Sequence, residues 1–250
     1  MSRLSSQAIV LKTSNYGEYD RIVSLYTKHF GKIRGIAKGA KRSQRRFGGT
    51  LEPFTVVTVY FVDKEHHGLC RLERCELVRA FPEIADNVTR VAYGAYFLEL
   101  IEALTPEKEQ HADIFSLLLF FISLLTTAAF REELARLFEL RLFTHLGYQP
   151  HFASCVACGG AFKHTGSYKF SVKRGGIVCG RCQERFSDLL PLSLGTIKIF
   201  QQAQNLSLGK LNRLFFSETA YQESTAIFSR FLEYHMGKRP KSLDILKQAL

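Results

Sequence analysis

Two pairs of cysteines carry the clearest chemistry in this sequence. Cys155-Val-Ala-Cys158 and Cys179-Gly-Arg-Cys182 are C-x2-C knuckles with 20 residues between them. Two residues between ligands let both sulfurs of one tight turn converge on a single ion, and a second such turn completes a tetrahedral shell. Gly159-Gly160 and Gly180 supply the backbone freedom these turns need. Four thiolates leave no open coordination position, so the pattern predicts one Zn2+ in a structural role. Free core thiols and a redox dithiol are the alternatives. Cys70 and Cys75, five apart in a strand-like region, read as ordinary buried residues.

The second chemical feature is a dense run of cations. Lys38, Lys41, Arg42, Arg45 and Arg46 fall within nine residues, and Lys32 and Arg34 precede them on an expected strand. Such a cluster calls for counterions. Phosphates provide them, with the release of condensed cations driving the binding. Arginine also offers a planar face for stacking on bases. Tyr16, Tyr19, Tyr26, Phe47 and Tyr60 lie close enough in sequence to join in, although each taken alone reads as a core residue before a stacking platform. No pattern reads an individual base edge, so little sequence preference is expected.

Charge is unevenly distributed over the 250 residues. The formal net charge is +11. Residues 1–80 hold 15 Lys+Arg against 7 Asp+Glu, while residues 81–154 hold 5 against 10. Separate modules with separate tasks follow from that asymmetry. Six more cations (Lys163, Lys169, Lys173, Arg174, Arg181 and Arg185) surround the cysteines. They offset the charge of a four-thiolate site or contact DNA themselves. No apolar signal segment follows Met1, which points to a reducing, cytoplasmic setting. Ile114–Phe130 lacks charge and reaches the lower limit of a membrane span. Its hydroxyl residues and the charges at its two ends favour a buried helix instead.

The elements that must position these residues can be read from periodicity. Apolar and β-branched runs at 8–11, 22–26, 33–37, 54–62 and 69–78, punctuated by glycines, predict five short strands. Closing them removes exposed edges, and a five-strand barrel of this length suits an OB-fold. The basic run is then expected to be a hairpin on the barrel. After Pro82 the period turns helical, with helices expected at 87–104, 109–127 and 132–146, able to pack as one bundle. The cysteine segment reads as loop with a strand at 168–172, and helices resume at 193–203 and 218–234. The expected class is α+β. Residues 1–80 form the OB-fold, 81–150 and 191–250 are two parts of a helical domain, and 151–190 is an inserted zinc-finger-like module.

Several stretches together resemble the RecO family of recombination mediators. They are Gly17–Thr27, Gly31-Lys32, Ala37–Arg42 and Leu51–Phe54, then Arg136–Leu140, then Leu146–Pro150 leading into the first cysteine knuckle. The resemblance implies binding of single- and double-stranded DNA and annealing of complementary strands. It also implies partnership with RecR and capture of the C-terminal tail of single-strand binding protein, so that RecA is loaded at gaps of nucleoid DNA. Arg136 resembles a family position near the tail-binding pocket. Zinc rests on this chain's own four cysteines, since some members lack them. An enzyme finds no support: there is no GxxxxGK[ST], HExxH or GxSxG. Asp63, Glu65, His66 and His67 suggest a polar turn more than a nuclease centre. Without the resemblance, a zinc-ribbon transcription or translation factor would be the alternative.

Overall fold

The computed structural model describes residues 3–63 and 68–249. Contacts divide the chain into two compact units, one of residues 1–127 and 242–250 and the other of residues 128–241.

Five strands make the closed barrel of the first unit: β1 (Arg3–Tyr16), β2 (Asp20–Thr27), β3 (Gly31–Ala37), β4 (Val56–Val62) and β5 (Cys70–Arg79). Their order around the barrel is β1-β2-β3-β5-β4, with β3 and β5 parallel and the other pairs antiparallel. The long β1 pairs with β2 and with β4, and a bulge between Val10 and Lys12 interrupts its register. Alternate residues point inward, as period two requires: Val57, Val59 and Phe61 of β4 join Ala8, Val10, Val23, Leu25, Ile33 and Leu72 in the core. The topology corrects one expectation. The basic run does not form a hairpin, because β3 and β4 are not neighbours. It is the crossing connection between them, and it contains a short helix, α1 (Gln44–Phe47), whose Phe47 is buried in the barrel core.

Two helices follow in the same unit, α2 (Val88–Leu104) and α3 (Ala112–Leu125). Asn87 caps α2 by accepting from the Arg90 N–H, and Thr105-Pro106 ends it. At 14 residues α3 spans about 21 Å, short of a hydrocarbon core. Among the described residues no helix is long and apolar enough to cross a membrane. The chain between α2 and α3 is fastened along β3: the Lys108 N–H donates to the Lys32 carbonyl at 2.8 Å. The Lys32 ammonium donates to the Glu102 carbonyl, and the Ser24 hydroxyl donates to the Glu102 carboxylate. A terminal helix, α7 (Ser242–Ala249), returns to pack on α2, where the Glu99 carboxylate accepts from the Ser242 N–H at 2.8 Å.

The second unit combines α4 (Leu134–His145), α5 (Leu194–Asn205) and α6 (Glu218–Met236) with a three-stranded antiparallel sheet in the order β7-β6-β8. Its strands are β6 (Tyr168–Ser171), β7 (Gly176–Cys179) and β8 (Leu189–Leu192). The three consecutive helices are therefore divided between units: α2 and α3 belong to the first, and α4 packs on α5 and α6 in the second. Phenylalanine rings build the core. Phe143 meets Phe231 at 4.6 Å, Phe152 meets Phe200 at 5.0 Å, and Phe200 meets Phe228 at 5.5 Å, mostly tilted or edge-on. Phe170 of β6 joins them through Phe231 at 6.0 Å.

Gly31 shows how tightly the first unit is assembled. Its φ is +62°, and an added Cβ would stand 1.9 Å from the Glu109 carbonyl oxygen. Gly31→Ala is expected to destabilise the protein by more than about 2 kcal/mol. Urea unfolding followed by circular dichroism measures this; an unchanged midpoint would contradict the packing of the α2–α3 connection.

Candidate metal centre and nucleic-acid interface

The four cysteines come together at one end of the small sheet. Cys155 and Cys158 sit in a tight turn in which the Cys155 N–H donates to Gly160 O at 2.8 Å and the Gly159 N–H to Cys155 O at 2.9 Å. Gly159 takes φ +70°, which a side chain would resist. Cys179 ends β7, and Cys182 lies on the 3-10 turn Gly180–Arg185. The Val156 N–H donates to Ile177 O at 2.9 Å and so joins the first turn to β7.

All four sulfurs lie within 4.8 Å of one another, and Cys158 and Cys179 are 3.8 Å apart. Four bonds of about 2.3 Å in a tetrahedron put sulfurs roughly 3.8 Å apart. The cluster can therefore hold a metal ion, and an all-sulfur donor set suits a soft or borderline one. The Cys179 N–H points at Cys155 Sγ at 3.3 Å, a contact that steadies a thiolate. Burial pushes the Cys155 thiol up, but backbone N–H groups of Cys179, Ala157 and Cys158 outweigh it and bring its pKa down to about 6. Burial and its three neighbours push Cys182 up to about 12. A cation among the four sulfurs would favour their thiolate forms. Cys70 and Cys75, by contrast, are buried singly and pushed up to about 12 mainly by desolvation.

The basic connection is braced against the β1–β2 turn. The Gly39 N–H donates to the Asp20 carboxylate at 2.7 Å, and the Lys41 N–H donates to Tyr19 O at 3.1 Å. The Arg42 guanidinium lies 3.2 Å above the Tyr19 ring. Arg46 is half-buried and closes the loop on itself, donating from Nη2 to Lys38 O and from Nε to the Ser43 hydroxyl. Lys38, Lys41, Arg42 and Arg45 are exposed. Among the described residues, no carboxylate lies within ion-pair distance of these four or of Arg46. Arg34 is exposed on β3, with Glu107 4.0 Å away.

Lys32 does not share that surface. It is 7% exposed, its ammonium is spent on the Glu102 carbonyl, and burial lowers its pKa despite Glu102 and Glu107 nearby. Of the aromatic candidates, Tyr16 and Tyr19 are exposed, Tyr26 and Phe47 belong to the interior, and Tyr60 lies beneath Arg74. Asp63 pairs with Lys108 at 2.8 Å, while Glu65, His66 and His67 lie outside the described residues.

Arg136 also differs from expectation. It is 6% exposed and pairs at 2.7 Å with Glu139, which is fully buried. The pair is sunk in the second unit, so Arg136 does not stand as an open cation on the surface. Arg141 is structural too: its Nη1 donates to the carbonyls of Ala203, Gln204 and Leu206 and so closes the C-terminal end of α5. Neither this cap nor the Arg42–Tyr19 stack has a local sequence signal, because the partners are 62 to 65 and 23 residues apart.

Comparison with known proteins places these features in context. Residues 1–81 match the family model "Recombination protein O N terminal", and residues 85–244 match "Recombination protein O C terminal". The DNA repair protein RecO of Syntrophus aciditrophicus (strain SB) is 34% identical over 245 residues, which is 97% of this chain and 95% of that protein. Its counterpart in Anaeromyxobacter dehalogenans (strain 2CP-C) is 32% identical over 239 residues, covering 96% and 94%. That of Pelotomaculum thermopropionicum is 33% identical over 246 residues, covering 98% and 94%.

Replacing Arg136 or Glu139 singly by alanine is expected to cost about 3–5 kcal/mol of stability, since the partner is left buried with its charge. Combining Arg136→Met with Glu139→Leu should restore most of it. Denaturant titration of the three variants checks this; single effects near zero would mean that the pair is solvated.

Proposed function

The chain belongs to the RecO family of DNA repair proteins, which implies recombinational repair, and from that premise we propose that it is a non-enzymatic mediator that binds and anneals DNA strands. The observation that carries this reading is the braced connection between β3 and β4, whose four exposed cations have no carboxylate partner among the described residues. Lys38, Lys41, Arg42 and Arg45 would contact phosphates, with Arg34 flanking them and Arg46 holding the loop's shape. Tyr16 and Tyr19 offer exposed rings for bases. Neutralising two strands at once lowers their mutual repulsion, so pairing proceeds without nucleotide hydrolysis.

The partners in this proposal are single- and double-stranded DNA of the nucleoid, RecR, and the tail of single-strand binding protein, with RecA loading as the outcome. Within it the four cysteines hold one Zn2+, through Cys155, Cys158, Cys179 and Cys182. The ion would supply no chemistry to a substrate. It would fold the turns that carry it, because four sulfurs fill its shell.

Strand annealing on DNA coated with single-strand binding protein, with no nucleotide present, is the decisive experiment. Replacing Lys38, Lys41, Arg42 and Arg45 with alanine should slow annealing and lower the salt slope of single-strand binding by up to about 2.8 log units per log salt, at roughly 0.7 per lost phosphate contact. An unchanged slope would remove the loop from the interface. Metal analysis of the purified protein should find about one zinc per chain, and chelation should lower the unfolding temperature. A native, metal-free protein of unaltered stability would overturn the zinc assignment.

A further inference from the structure

The second unit carries another basic and aromatic surface, built independently of the barrel. Helix α4 ends in a Schellman turn: Gly147 adopts φ +81°, its N–H donates to Thr144 O at 3.2 Å, and the Tyr148 N–H donates to Phe143 O at 2.9 Å. This turn fixes the backbone at Tyr148, whose ring lies 4.5 Å from that of His235. Tyr234 stands perpendicular to the same imidazole at 5.3 Å, and the buried Phe231 backs it at 4.5 Å. Tyr148 and Tyr234 are 53% and 55% exposed, large values for tyrosines in contact with a cluster of rings. Burial pushes the His235 pKa below its ordinary value, so the ring presents a neutral face.

These rings border a cavity of about 260 Å³ that is also lined by Lys173 and Arg174. The two cations occupy the tip of the β6–β7 hairpin, which is held firmly. The Lys173 N–H donates to the Asp188 carboxylate at 2.9 Å, the Arg174 N–H donates to the Ser171 hydroxyl at 3.2 Å, and Gly175 takes φ +62°. Among the described residues no carboxylate lines this cavity. An adjoining one of about 420 Å³ shares Lys173 and Tyr234 and adds Arg230, Asp188 and Glu233. Asp188 is already engaged, accepting from the Ser171 hydroxyl as well as from Lys173.

We propose that this cavity is a second site for single-stranded DNA, in which an unpaired base stacks on Tyr148 and Tyr234 while Lys173 and Arg174 hold the adjacent phosphates. The proposal rests on the reading of this chain as a DNA-binding repair protein. Flat rings beside paired cations suit a base and its phosphate. Val172 is the one aliphatic side chain in the lining of this cavity among the described residues; its other walls are rings, polar groups and cations. A duplex keeps its bases stacked inside, so the site should select unpaired strands.

Cross-linking tests it. An oligonucleotide containing 5-iodouracil is bound to the full-length protein, irradiated, and the modified tyrosines are mapped by mass spectrometry. Cross-links at Tyr148 or Tyr234 are expected, and excess unlabelled single strand should suppress them far better than duplex does. Tyr148→Ala with Tyr234→Ala should weaken single-strand affinity by about fivefold or more, while the Tyr→Phe pair, which keeps both rings, binds normally. Lys173→Ala with Arg174→Ala should lower the salt slope by about 1.4. Cross-links confined to Tyr16 or Tyr19, with wild-type affinity in the Tyr148/Tyr234 alanine variant, would overturn this site and leave the barrel interface standing. Absence of single-strand binding by the wild-type protein would instead remove the DNA-binding reading itself. Protection of Tyr148 and Tyr234 by an acidic peptide ending in an aromatic residue, and not by oligonucleotide, would assign the cavity to a protein partner and also overturn the proposal.

Discussion

The parallel pairing of β3 with β5 is the constraint from which the DNA-facing part of this protein follows. Closing the barrel requires β5 to sit beside β3, so β4 must start on the far side of β5. The chain leaving β3 at Ala37 therefore cannot turn back in a hairpin. It crosses from Ala37 to Val56, and a crossing this long must be packed or it would be mobile. Phe47 anchors it in the barrel core, while Asp20, Tyr19 and Ser43 fix its backbone and its arginines. Cations that repel one another are held together because the strand order leaves them no other route.

The second unit meets a different constraint. Its sheet has three strands of four residues each, too little for independent stability without help. Helices cover it through the phenylalanine cluster around Phe170, Phe231 and Phe200. The cysteine turns are tied to β7 by the bond from Val156 to Ile177. The cysteine cluster and the ring cluster both adjoin this one small sheet, the first a group of thiols able to hold a metal ion and the second a packed core.

Much of this was legible in the sequence. The four cysteines declare themselves by spacing, and the five barrel strands by apolar runs between glycines, because both signals are local. What stayed hidden depends on partners far apart in the chain. Lys32 looks like one more member of the basic run, yet Glu102 draws it inward from 70 residues away. Arg136 reads as a helix-surface cation until Glu139 is seen beside it in the interior. β8 escapes notice because Pro191 argues against a strand; it is tolerated here because β8 is an edge. The grouping of helices was equally invisible, since periodicity marks a helix without naming the face it will meet.

The return of α7 to the first unit has a consequence for how the chain is made. Residues 128–241 interrupt the first unit, and α2 keeps its α7-binding face without a partner until all of them have been synthesised. At about 5–20 residues per second, that interval lasts several seconds at least. During that time the inserted unit can gather its cysteines and bury its rings while the first remains unfinished. The unit begun first therefore closes last, when Ser242 reaches the Glu99 carboxylate.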